Sequence, residues 1–72
     1  MNFQKYDLGY LSAGEIVEIT LAQNAANVRL MDSSNFSNYR SGRRHQYIGG
    51  YMKKSPVRLQ IPHSDHWYVA ID

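Results

Sequence analysis

Cysteine is absent from the 72-residue chain, which excludes disulfides and any thiolate metal site. A secreted domain this small ordinarily depends on disulfides, so a reducing, cytoplasmic location is the expectation. No apolar run approaches the ~20 residues of a membrane span. The opening Met1-Asn2-Phe3-Gln4-Lys5-Tyr6 has no apolar core of the signal-peptide kind. Prolines number only two and hydrophobic residues reach 43%, a composition that folds rather than stays disordered. The length allows one domain, 1–72, which buries roughly 60% of the surface its unfolded chain exposes, so the core must be modest. Acidic residues are missing from a long interval: none occurs between Asp32 and Asp65. That interval holds Arg40, Arg43, Arg44, Lys53, Lys54 and Arg58, about +6, against about −4 for the two ends together. A charge separation of this kind gives the domain one pole able to attract phosphate or an acidic protein surface.

What is present is alternation of period two. Val17, Ile19 and Leu21 share one face of an extended chain, with Ile16, Glu18 and Thr20 on the other. Gln23-Asn24-Ala25-Ala26-Asn27 has turn chemistry, and Val28-Arg29-Leu30-Met31-Asp32 resumes as a strand, so the two segments read as a hairpin. Asp32-Ser33-Ser34-Asn35 either turns the chain or caps a helix, and one or two helical turns over 34–41 would end at Gly42 as a left-handed cap. His45-Gln46-Tyr47-Ile48 reads as a strand ending at Gly49-Gly50, where a bulge, a bend or a close backbone approach is expected, with Tyr51-Met52 as an extension beyond that kink. Val57, Leu59 and Ile61, then Trp67, Val69 and Ile71, alternate across a second hairpin turned by Pro62-His63-Ser64-Asp65. The expected fold is all-β, a small antiparallel sandwich or partly open barrel of five to six short strands. Its expected core is Val17, Ile19, Leu21, Val28, Leu30, Val57, Leu59, Ile61, Trp67, Val69 and Ile71.

The chain also resembles a bacterial family of domains of unknown function, number eighteen-eighty-three. The resemblance runs through Phe3-Gln4-Lys5-Tyr6-Asp7-Leu8-Gly9 and Asn27-Val28-Arg29-Leu30-Met31-Asp32-Ser33-Ser34-Asn35-Phe36. It continues in Tyr39, Gly42, Gly49-Gly50 and His66-Trp67-Tyr68-Val69-Ala70-Ile71-Asp72. It implies a small β-rich protein, found alone or placed before a TIR (Toll/interleukin receptor) domain, and it implies no catalytic residue. No TIR segment occurs within these 72 residues.

The stretch 35–58 interleaves its cations with Phe36, Tyr39, Tyr47 and Tyr51. Arginine forks hold phosphate or carboxylate, and aromatic faces stack on bases. The expected ligand-binding residues are Asn35, Tyr39, Arg40, Arg43, Arg44 and the backbone of Gly49 and Gly50. Arginine would clamp an anionic group, Tyr39 would stack, and Asn35 would shape the turn; the competing reading of Tyr39, Tyr47 and Tyr51 is half-buried packing that wedges a thin core. The expected role is a non-enzymatic binding or adaptor module for an anionic or nucleotide-like ligand or an acidic partner. A protein–protein or homo-oligomer interface along an unpaired β edge is the alternative. Nucleic acid is a weaker expectation, since six cations on so small a module give modest, salt-sensitive affinity. His63-Ser64-Asp65-His66 is the one cluster resembling a metal or acid–base site, but a tight turn splays adjacent side chains and no further ligand is evident, so no metal and no cofactor is assigned. A small metal-independent, ribonuclease-like nuclease using His45 with His63 or His66, plus Arg43 or Arg44, is the remaining alternative.

Overall fold

The computed structural model describes residues 4–22 and 24–72. Met1, Asn2, Phe3 and Gln23 lie outside the described residues, and with them the first position of the expected 23–27 turn. Among the described residues, six strands and one helix follow in the order β1 (Gln4–Leu11), β2 (Ile16–Ile19), β3 (Ala26–Asp32), α1 (Ser33–Arg40), β4 (Ile48–Met52), β5 (Val57–Gln60) and β6 (Asp65–Ile71). Two antiparallel sheets result, one ordered β1-β6-β3-β4 and one of β2-β5, a sandwich-like arrangement with no closed barrel. No helix among the described residues is long and apolar enough to cross a membrane.

Neither expected hairpin forms. β2 pairs with β5, not β3, and β6 lies between β1 and β3. The reason is how many faces each strand buries. β2 and β5 each have a single apolar face: Val17 opposes Leu59 and Ile19 opposes Val57, while Glu18 meets Arg58 at 3.0 Å in solvent. That exposed ion pair contributes at most about 1 kcal/mol. β3 and β6 bury both faces and so occupy the centre of the larger sheet. Inward, Val28, Leu30, Trp67 and Val69 pack with Ile61 beneath the two-stranded sheet. On the opposite face, Met31 and Ala70 pack with Phe36 and Tyr39 of α1, forming a second core that period-two reading of one face does not reveal. Of the expected core, Val28, Leu30, Val57, Ile61, Trp67 and Val69 are buried, while Val17, Ile19, Leu21, Leu59 and Ile71 are partly buried at its edge.

β1 escapes the alternation because its phase slips. The register jumps between Asp7 and Gly9, where Gly9 takes a φ of 75° that favours glycine. The Asp7 carboxylate accepts the Gly9 N–H at 2.9 Å and contacts His66 Nε2. The Gly9 bond, and then the His66 contact, hold the Asp7 carboxyl below its ordinary 3.8. A depressed carboxylate stabilises the fold above its unfolded value of about 4, and that contribution disappears as pH falls through the lower folded value. An NMR titration should therefore place the Asp7 midpoint below that of an unstructured aspartate. A midpoint at or above the unstructured value would mean that the bulge bond is not made.

β4 begins only at Ile48, the last residue of the expected 45–48 segment, and runs through the Tyr51-Met52 extension. Residues 43–47 are irregular, because they wrap over α1 instead of extending the sheet. Gly49-Gly50 lies inside β4, opposite Arg29 and Val28. A Cβ on Gly49 would stand 2.3 Å from the Val28 carbonyl oxygen, so the glycine permits close approach of β4 to the central strand.

Candidate functional site

The helix that ends in Arg40 and leads into Arg43 and Arg44 is defined at both ends by its own sequence. Asp32 is the N-cap, its Oδ1 accepting the Asn35 N–H at 2.9 Å. At the other end, the Arg43 N–H reaches the Asn38 carbonyl at 2.8 Å and the Gly42 N–H the Tyr39 carbonyl at 3.2 Å, with Gly42 at φ 76°. That paired closure is a Schellman motif, and it uses Gly42 as the sequence reading expects. Phe36 and Tyr39, three apart, turn onto the sheet, and Phe36 stacks on Tyr68 at 4.3 Å. Asn35 then ties the following loop down: its Oδ1 accepts the Gln46 N–H at 2.8 Å and its Nδ2 donates to Asp32 at 3.0 Å. Asn35 thus shapes the basic segment from within.

Arg40, Arg43 and Arg44 stand exposed on this fixed segment. Arg40 lies over the Phe36 ring at 5.6 Å, and no acid pairs with any of the three among the described residues. The six acids are engaged elsewhere: Asp7 by Gly9 and His66, Glu15 by the Ser12 N–H, Glu18 by Arg58, Asp32 and Asp65 by His63, and Asp72 by Arg29. The three arginines therefore keep their charge facing solvent. Their place at the helix C-terminus, the negative end of its dipole, also suits cations without any ligand.

Tyr39 does not serve as a stacking surface, because its ring is buried in the second core. Burial foremost, and then the Asp72 charge, push its phenol above 10.0, with Arg29 pulling the other way. The guanidinium of Arg29 lies 5.6 Å from the Tyr39 ring and 5.4 Å from that of Tyr47, and it bonds Asp72 at 3.0 Å. Burial is the largest single influence and works against that guanidinium's charge, but the Asp72 hydrogen bond together with the charges of Asp72, Tyr39 and Tyr47 raises Arg29 above its ordinary range. Tyr47, 45% exposed, is the aromatic left at the surface here, tilted against His45, whose ring meets Tyr39 edge-on at 5.0 Å. Gly49 and Gly50 lie inside β4, where strand approach and backbone conformation account for them.

A cleft of about 270 Å³ opens between this loop and the β5–β6 turn, with Asp32, Asn35, Gln46, Tyr47, His63 and Trp67 among its walls. At its edge His63 Nε2 lies 3.1 Å from Asp32 Oδ2 and 3.8 Å from Asp65 Oδ2. Asp32, at the end of β3, is the residue that reading the turn by itself misses. Its visible signal, capping chemistry, concerns only one of its two oxygens. The three histidines have separate surroundings: His63 with this pair of acids, His66 with Asp7, and His45 with Tyr39 and Tyr47.

A family model described as Domain of unknown function (DUF1883) matches residues 1–72, the full length of the chain, and bears out the resemblance read from the sequence. No curated protein and no solved structure matches.

Proposed function

We propose that this chain, which belongs to the family of domains of unknown function DUF1883, is a non-enzymatic recognition module that binds an anionic group on its Arg40–Arg43–Arg44 surface. The supporting observation is the charge arrangement: each acid has an internal partner, while among the described residues no acid pairs with these three arginines, which stand at the end of α1 and on the loop held by Asn35 and a Schellman cap. A preorganised loop loses little entropy on binding, so modest charge attraction is not spent on ordering it. Tyr47, rather than Tyr39, is the ring available to stack on a nucleotide-like ligand.

Tripolyphosphate titrated into isotopically labelled protein is the probe. Amide shifts are expected to concentrate in residues 40–47 and to weaken steeply as salt rises. The Arg43→Gln/Arg44→Gln double variant should lose affinity by roughly tenfold or more, the loss of charge-assisted hydrogen bonds. Shifts of equal size in the variant, or none at millimolar probe, would defeat the reading. Salt-tolerant self-association would instead favour the edge-strand interface, for which β1 and β4 supply the two edges of the larger sheet.

A further inference from the structure

We propose that Asp32, His63 and Asp65 form a binding site for a divalent transition-metal ion of the zinc type. The three come from different parts of the fold: Asp32 from the end of β3, His63 from the β5–β6 turn, and Asp65 from the start of β6. One ligand atom from each lies within 4.8 Å of the others, and His63 Nε2 stands 3.1 and 3.8 Å from the two carboxylate oxygens. Zinc bonds of about 2.0–2.2 Å at tetrahedral angles separate ligand atoms by roughly 3.3 Å, so the cluster is already near the needed spacing.

The support around these atoms distinguishes the site from a chance meeting of surface charges. Each carboxylate uses one oxygen structurally and turns the other toward His63. Asp32 Oδ1 accepts from the Asn35 backbone and side chain at 2.9 and 3.0 Å. Asp65 Oδ1 accepts from the His66 N–H at 2.6 Å and the Ser33 hydroxyl at 3.3 Å. The His63 backbone is held by the Trp67 indole, which donates to its carbonyl at 3.1 Å, and its ring packs against the Trp67 ring at 5.0 Å. Hydrogen bonds that hold each ligand's other atoms fix its orientation, as metal sites require. Asp32 is only 14% exposed, so its charge and that of Asp65 gain from a cation that neutralises both. The Oδ1 of Asp32 meanwhile answers the positive end of α1, leaving Oδ2 for the metal.

An imidazole with two carboxylates selects zinc-type ions over magnesium or calcium, which favour oxygen ligands alone. Asp32 and His63 also line the 270 Å³ cleft, so a fourth ligand, water or an anion, would arrive from there. The site shares Asn35 with the arginine segment but does not depend on that reading.

Zinc chloride titrated calorimetrically into metal-free protein should show one site, with Kd on the order of 10 μM or tighter. His63→Gln and Asp32→Asn should each weaken it by about tenfold or more. Asparagine caps a helix as well as aspartate does, so Asp32→Asn stays folded and tests the ligand by itself. His45→Gln, whose ring lies against Tyr39 and Tyr47 and takes no part in the site, should bind as the unaltered chain does. Cobalt(II) in place of zinc should give the visible absorption of a tetrahedral ion, absent in His63→Gln. No saturable uptake, unchanged affinity in His63→Gln or Asp32→Asn, or magnesium bound as tightly as zinc would overturn the proposal.

Discussion

Alanine at Gly49 is expected to destabilise the protein by about 3 kcal/mol or more, two penalties acting together. The added Cβ would sit 2.3 Å from the Val28 carbonyl oxygen, a backbone atom in the central strand that cannot swing away. The glycine also holds φ at 121°, which alanine adopts only with strain. Gly50 supplies the comparison. Its φ of 139° is strained for alanine too, but nothing lies within 4 Å of the added carbon. Gly50→Ala should therefore cost only about 1–3 kcal/mol, the conformational part alone. Domains of this size commonly hold roughly 3–5 kcal/mol in total, so Gly49→Ala should be largely unfolded at room temperature. Urea unfolding followed by circular dichroism measures both variants. A Gly49→Ala protein as stable as Gly50→Ala would mean that β4 does not approach β3 as described.

Truncating Trp67 to alanine should cost about 3–5 kcal/mol, the range for removing a large buried aromatic side chain. Trp67 is 2% exposed and packs with Val28, Leu30, Ile61 and Val69 between the two sheets. It is also the donor to the His63 carbonyl, so its loss unpins the β5–β6 turn as well as opening a cavity. Because β3 and β6 carry both cores on opposite faces, the second core should melt in the same transition. A far-ultraviolet circular dichroism melt and the NMR signals of Phe36 and Tyr39 test this jointly. A loss below about 1 kcal/mol, or a Phe36–Tyr39 core that survives the melting of the sheets, would contradict it.

Much of the local structure is legible in the residues. Val57, Leu59 and Ile61 alternate inward as their spacing requires, and Trp67 belongs to the core by its phase with Val69 and Ile71. The helix near 34–41 is marked at both ends, by Asp32 and by Gly42, which is why so short a segment is identifiable. Asn35 and the three arginines occupy one connected stretch, as expected from their proximity in the chain. Other features leave no local trace. Gly9 shifts the phase of β1 and hides its alternation, while Tyr39 admits both packing and stacking until Met31 and Ala70 are placed beneath it. The cleft-side grouping of Asp32 with His63 spans about half the chain, and no spacing rule reaches that far.

By itself the sequence determined the strand-dominated class, the helix and its caps, and an acid-free interval that leaves arginines without neutralising neighbours. Each of these depends on interactions within a few residues, where backbone geometry and side-chain chemistry act directly. Tertiary structure decided which strands pair, which tyrosine is buried and which carboxylates meet His63. Strands with one apolar face can pair in several ways at similar local energy, and only the demand to bury both faces of β3 and β6 selects among them.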